Sequence, residues 1–258
     1  MLTNTLMLVR THPQDMARED EFNEWYTGNH VPDVLHAPGL TAALRYKLAM
    51  THIGEVPPYL ALYYIDNDDA TDANNGMMAY LNAPDPKRMV MPEATGQGAE
   101  WKIHGAGGGT RPGGLISVDT WAYYTKTLEV GENDVSPDNA AEGLLVTYTA
   151  PAADADVDAL NKWYDWHMDD IISTPGIRGG ARYKIASVNA GEATQFVGIF
   201  ELETDDVEKV AGDLGATLAT APSGGIPTTE SGASALDIFG FAYYKLESAP
   251  TKEHTLLP

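Results

Sequence analysis

Residues 23–47, NEWYTGNHVPDVLHAPGLTAALRYK, return further along the chain as residues 161–184, NKWYDWHMDDIISTPGIRGGARYK. From His30 and His167 to Lys47 and Lys184 the two stretches align without a gap. His, Asp, Pro, Gly, Arg, Tyr and Lys are identical there, and most other positions exchange one apolar residue for another. Upstream, Asn23, Trp25 and Tyr26 match Asn161, Trp163 and Tyr164, with one residue fewer between tyrosine and histidine in the second copy. The likeness continues through YLALYYI (59–65) against FVGIFEL (196–202), and WAYY (121–124) against FAYY (241–244). Self-similarity of this extent is a tandem duplication.

Apolar alternation places strands near 6–10, 41–50, 58–66 and 118–128, and again near 144–149, 178–188, 194–203 and 237–247. Between them, Phe22, Trp25, Tyr26 and His30 recur at helical spacing, as do Leu160, Trp163, Tyr164 and His167. A second helix is expected at 72–82 and at 205–219, and Pro38-Gly39 and Pro175-Gly176 mark turns. The order βαββαβ is the ferredoxin-like unit, so the chain reads as α+β. One sheet face of such a unit is bare and needs a cover. The expectation is two units, 1–130 and 143–250, fused through an acidic linker at 131–142 and packed sheet to sheet as a pseudo-dimeric α/β barrel. Two long connections, 83–117 and 221–235, read as flaps or assembly contacts. The glycine run GAGGGTRPGG at 105–114 lacks the Lys-Ser/Thr ending of a phosphate loop.

Composition narrows the function. Sixteen Lys and Arg face 37 Asp and Glu in 258 residues, a net charge of −21, and no basic patch offsets it. That field opposes nucleic acid and anionic lipid. Hydrophobic residues at 43% suffice for a packed core. No cysteine is present, which excludes disulfides, thiolate nucleophiles and Cys-ligated metals. The first residues lack a secretory pattern, and no apolar run is long enough to span a membrane, so a soluble cytoplasmic protein is expected.

The string NEWYTGNHVPD, followed by a Pro-Gly turn and RYK, resembles the EthD-like branch of the dimeric α/β-barrel superfamily. The resemblance covers both copies. It implies a pocket between helices and sheet in each unit, lined by the motif histidine, and a small-molecule ligand. Relatives include cofactor-free monooxygenases, lactone isomerases, polyketide cyclases, dehydratases and haem enzymes, so fold alone does not choose the chemistry. Haem would need only one histidine ligand, and no further motif supports it.

Beside the resemblance, the residues speak for themselves. His30 lies on the apolar face of its helix, just before Val31-Pro32, and imidazole is the natural proton carrier near neutral pH. Tyr26, one turn earlier, is its candidate partner. Trp25 reads as pocket wall or aromatic core. Arg45 and Tyr46 point to opposite sheet faces, and Arg45 either binds a carboxylate or enolate or pairs with Asp33. Tyr123 and Tyr124 likewise divide between faces, and either suits an aromatic guest. The second-copy counterparts are His167, Tyr164 and Arg182, with Asp170 as the salt-bridge partner. Losing one residue should rotate His167 by about 100° about its helix unless a bulge absorbs it. On that ground, and because Met168-Asp169 replaces Val31-Pro32, the first copy is expected to carry the chemistry and the second to serve as a cover, with the opposite assignment as the alternative. His12, His36, His52 and His104 are isolated, and no metal-ligand spacing occurs. The resulting expectation is a cofactor-independent acid/base enzyme, lyase type first, acting on a small hydrophobic, aromatic or polyketide-like molecule. The rivals are a cofactor-free monooxygenase and a non-catalytic carrier or assembly protein. Further assembly into a homo-oligomer stays open.

Overall fold

Eight antiparallel strands close into one barrel. The computed structural model describes residues 4–82, 114–132 and 136–250. The first half runs β1 (Thr5–Pro13), α1 (Glu19–Trp25), a π-helical turn (Tyr26–His30), α2 (Val31–Val34), β2 (Leu40–Ile53), β3 (Tyr59–Ile65), α3 (Ala70–Asn82) and β4 (Ile116–Gly131). The second runs β5 (Gly143–Pro151), α4 (Val157–Ile172), β6 (Ile177–Gly191), β7 (Phe196–Leu202), α5 (Val207–Leu218) and β8 (Leu236–Ser248). Both are βαββαβ, as the duplication requires. The glycine run of the first long connection lies outside the described residues, apart from its last position, Gly114.

Local chemistry explains the elements. Asp156 caps α4 by accepting from the backbone N–H groups of Asp158 and Ala159. Gly39 and Gly176 sit at φ +80° and +88° in the two Pro-Gly turns, a left-handed conformation that costs a residue with Cβ. β3 and β7 are buried along their whole length, since the barrel covers one face and the helices the other.

Around the barrel the order is β1-β3-β2-β8-β5-β7-β6-β4. The two sheets therefore face one another and also hydrogen-bond at two seams, β2 with β8 and β4 with β6. The seam strands are long because each serves two sheets. Leu40–Lys47 of β2 pair with β3, and the rest of the strand runs on past β8 to Ile53. Bulges along both seams bend the strands enough to close the barrel. Closure leaves no open edge for aggregation.

Strand alternation sorts the side chains into three cores. Leu6, Leu8, Leu44, Leu62, Val146 and Val197 fill the barrel, together with six tyrosines that include Tyr46 and Tyr124. Met7, Phe22, Trp25, Tyr26, Tyr63 and Tyr123 pack between the first sheet and its helices. Leu145, Leu160, Trp163, Tyr164, Phe200 and Tyr243 do the same in the second half. Each fully buried large apolar side chain contributes about 1.5–3 kcal/mol.

Candidate functional site

The extra residue of the first copy is taken up by the π-helical turn at Tyr26–His30. α4 passes the equivalent place as regular helix. The expected rotation of His167 is therefore absent, and the structure corrects it. The His30 ring lies on the Trp25 indole at 4.9 Å between centroids and 22° between planes, and the His167 ring on Trp163 at 4.0 Å and 18°. Each imidazole also meets its tyrosine edge-on, at 4.8 Å for Tyr26 and 6.3 Å for Tyr164. A π-turn adds one residue without changing where the next side chain points.

The arginines correct a second expectation. Among the described residues neither Arg45 nor Arg182 makes an ion pair. Both reach instead for the recurring asparagine: Arg45 Nη2 donates to Asn23 Oδ1 at 2.9 Å, and Arg182 Nη1 to Asn161 Oδ1 at 2.9 Å. Asp170 accepts from the backbone N–H of Ser223, and Asp33 from the Tyr80 hydroxyl. Beyond that the two arginines part. Arg45, 1% exposed, also donates from Nη1 to Thr27 Oγ1 at 2.6 Å and is boxed by the rings of Phe22, Tyr26 and Tyr59. Arg182, 5% exposed, is wedged between the Tyr164 and Phe196 rings, 3.8 Å from each centroid. Its Nε and Nη2 are buried without a hydrogen-bond partner. Leaving such donors unmade costs about 1–3 kcal/mol each.

Arg182 lines a cavity of about 310 Å³ between α4, α5 and the sheet of the second half. Its walls are mainly apolar, from Leu145, Ile171, Phe200, Leu214 and Phe241 among others, with His167, Tyr164, Thr147 and Thr149 as polar points. Gly224, Gly225 and Ile226 of the 219–235 connection close one side. That connection is fastened by Ser223, whose N–H donates to Asp170 Oδ2 at 2.9 Å and whose Oγ lies 3.5 Å from His167 Nδ1. His52 and Ile53, from the far end of β2, complete the rim. The first half thus contributes to the second half's cavity across a barrel seam.

Small differences between the copies accompany the space. Gly198 replaces Ala61, and a Cβ there would come within 2.6 Å of Thr147 Oγ1. Phe200 replaces Tyr63, whose hydroxyl donates across to the Tyr26 hydroxyl at 3.3 Å. Leu160 replaces Phe22, which packs on Tyr59 at 5.0 Å.

Burial sets the electrostatics. His167 is pushed down to about 4, desolvation outweighing the nearby Asp170 carboxylate, so the ring is neutral at pH 7. The Tyr164 phenol is pushed up by burial, partly offset by Thr149 and Arg182. Burial also lowers Arg182, with Tyr164 and Asp165 acting the other way, yet a guanidinium keeps its charge. In the first copy burial raises Tyr26 and lowers Arg45. The second cavity therefore combines a neutral proton acceptor with a fixed, under-coordinated cation in apolar surroundings.

Of the residues singled out from sequence, His30, Tyr26, Trp25, Arg45 and Tyr123 come together on the helical side of the first sheet. Tyr46 and Tyr124 do not, because they point into the barrel. His167, Tyr164 and Arg182 come together in the second cavity. Sequence reasoning missed Gly198 and Thr147, and it set His52 aside as isolated. The signal for Gly198 was present in the comparison of copies, where a strand alanine becomes glycine.

Among the described residues no group of three His, Cys, Asp or Glu side chains could hold a metal ion. Haem needs an axial ligand, a slot for the macrocycle and partners for its propionates. The described walls do not fit it: the cavity lies at the small end of ligand pockets, and Arg182 is the one permanent cation lining it.

The architecture is that of a dimeric α/β barrel built within a single chain. Solved structures share it. An anthrone oxidase-like protein superposes with a TM-score of 0.53 at 9% identity, covering 97% of this chain and 94% of its own. Two variants of chlorite dismutase from Candidatus Nitrospira defluvii give TM-scores of 0.51 and 0.50 at 9% and 10% identity, covering 96% and 94% of this chain and 93% and 92% of theirs. At these identities the likeness is one of fold. No protein-family model matches the chain, and no curated protein does. Among the described residues no helix is long and apolar enough to cross a membrane.

Proposed function

We propose that the chain is a cofactor-independent acid/base enzyme acting on a small, largely apolar, aromatic or polyketide-like carbonyl compound, and that its working site is the second-copy cavity. The observation that carries this reading is the presence of a neutral imidazole, His167, and a buried cation without a carboxylate, Arg182, on the walls of one apolar cavity. His167 takes a proton from a carbon beside the carbonyl or from a phenol. The charge left on the substrate oxygen is stabilised by the field of Arg182, undiluted by water. As that anion forms beside the ring it raises the imidazole's affinity for the proton, so the acceptor strengthens as the reaction proceeds. Return of the proton to another atom is an isomerisation, and loss of a leaving group makes the enzyme a lyase. The apolar walls and the stacked Trp163 support an aromatic substrate.

A second reading has one specific support, the fold shared with a protein described as anthrone oxidase-like. The same deprotonation yields an electron-rich anion, and its reaction with O2 would make the enzyme a cofactor-free monooxygenase. Anthrone, 2-tetralone and 1-indanone are apt probes for both. In D2O the chain should accelerate deuterium uptake at their acidic C–H positions, and His167→Asn should reduce that by about 10²–10⁴-fold while retaining its fold by circular dichroism. Oxygen consumption alongside exchange selects the monooxygenase. Undiminished exchange in His167→Asn refutes the role of the imidazole.

A further inference from the structure

The second-copy cavity has a mouth, and the comparison of the two copies marks where it lies. We infer that substrate enters between the end of β2 and the 219–235 connection, past His52, and that this gap governs how fast a molecule reaches the cavity. This rests on the reading of the cavity as the working site, but it uses none of the proton chemistry assigned to His167.

Exposure locates the gap. Of the described residues that line the cavity, His52, Ile53, Gly224 and Gly225 are exposed, and the rest are buried or half-buried. His52 and Ile53 come from the first half, at the end of β2, and the two glycines from the connection after α5. A Cβ built on Gly224 or Gly225 would meet nothing within 4 Å, so nothing packs over either one. The β2 side has an apolar frame: the His52 ring meets Phe241 edge-on at 5.3 Å between centroids, and Ile53 pairs with Phe241 across the seam. Such a frame suits the flat apolar molecules that the walls within favour.

The first copy bridges the same place. Its α3 aligns with α5, the buried Ala70, Ala73 and Met77 matching Val207, Val210 and Leu214. From the end of β6, Asn189 Nδ2 donates to Asn74 Oδ1 of α3 at 2.8 Å, and Asn74 Nδ2 donates back to Asn189 Oδ1 at 3.1 Å. The Asn189 amide also lies 3.9 Å from Met78 Sδ. In the second copy His52 stands for Asn189, Ala211 for Asn74 and Gly215 for Met78. Ala211 has no side-chain hydrogen bond to offer, and a Cβ on Gly215 would meet nothing within 4 Å. The neighbouring seam pair changes with them: Ala190 and Trp121 are buried, whereas Ile53 is 38% exposed and Phe241 half-buried. A clasp thus ties strand to helix in one copy, and all three of its residues are replaced in the other.

The chain holds no cysteine, so one introduced at the gap can be labelled alone. Gly225 lies outside the left-handed region and has room for a Cβ. Stopped-flow quenching of tryptophan fluorescence by 2-tetralone gives entry and exit rates, since Trp163 stands in the cavity wall. A bulky thionitrobenzoate label on Gly225→Cys should slow both rates about tenfold and leave Kd within about threefold, because a narrowed mouth raises the barrier and not the end states. Removing the label with dithiothreitol should restore them. Grafting the clasp as His52→Asn with Ala211→Asn should slow both rates likewise, and His52→Asn alone should not; the label decides if the graft does not fold. Unchanged rates in the labelled protein overturn the inference. So does equal slowing by the same label on Glu230→Cys, an exposed position off the cavity wall, or a loss of affinity with entry unslowed. A wild-type chain that binds neither 2-tetralone nor anthrone overturns it together with the reading of the cavity. Gated binding without deuterium exchange upholds the inference and refutes the proton chemistry alone.

Discussion

The imidazole of His167 lies flat on the indole of Trp163, ring centroids 4.0 Å apart. Burial keeps the ring neutral in an apolar cavity, and the stack fixes the plane in which it lies. The same stack recurs between His30 and Trp25 despite the extra residue, so the geometry belongs to the fold.

A buried neutral histidine makes stability depend on pH. The folded pKa of His167, about 4, lies below the unfolded value near 6.5. Between these values the unfolded chain binds more protons, so the contribution is fully present above about pH 6.5 and is lost as pH falls toward 4. Comparing wild type with His167→Gln by urea unfolding should show the wild type losing about 2 kcal/mol more between pH 7.5 and 5. Parallel pH dependence in the two proteins would place the ring in solvent.

The two arginines should respond oppositely to the same substitution. Arg45→Met breaks bonds to Thr27 and Asn23 inside a box of three rings, and should cost about 3–5 kcal/mol. Arg182→Met removes a buried cation with two unmade donors and leaves only Asn161 without its partner. It should lie within about 1 kcal/mol of wild type. Thermal melts of both variants give the comparison, and equal losses would contradict the unequal coordination.

Gly28 lies inside the π-turn. A Cβ there meets nothing within 4 Å, and its backbone is helical. Gly28→Ala should therefore stabilise the chain by about 0.4–1 kcal/mol through the unfolded state. A loss of stability on chemical denaturation would mean that the turn needs glycine's freedom.

Gly198 holds space open at the cavity floor. Gly198→Ala drives a Cβ to within 2.6 Å of Thr147 Oγ1, an overpacking worth about 1–3 kcal/mol. Deuterium uptake should fall more for anthrone than for 1-indanone, because the larger ring system needs the lost volume. Equal effects on the two ligands would put the binding site elsewhere.

Much of this molecule was legible in its residues. The repeat exposed two βαββαβ units, and strand alternation put Arg45 and Tyr46 on opposite faces of the sheet without saying which face met the helices. Three features were not legible, each for a physical reason. A π-turn is a change of hydrogen-bond partner along the backbone, which no side chain at Tyr26–His30 announces. The asparagine partners of the arginines stood in plain view as Asn23 and Asn161, but charge complementarity pointed to Asp33 and Asp170, and helix geometry overruled it. His52 reaches the second cavity only because β2 runs on past β8, a consequence of barrel closure that local sequence does not contain.

The central claim is that a neutral His167 works in the second-copy cavity, whose wall also carries the buried Arg182. Histidine side-chain NMR titration of the full chain, with and without saturating 2-tetralone, tests it most directly. The account predicts one imidazole, absent from the His167→Gln spectrum, that titrates near pH 4 in the free protein and changes its chemical shift when 2-tetralone binds. A His167 signal that titrates near 6.5 and ignores the ligand would contradict it.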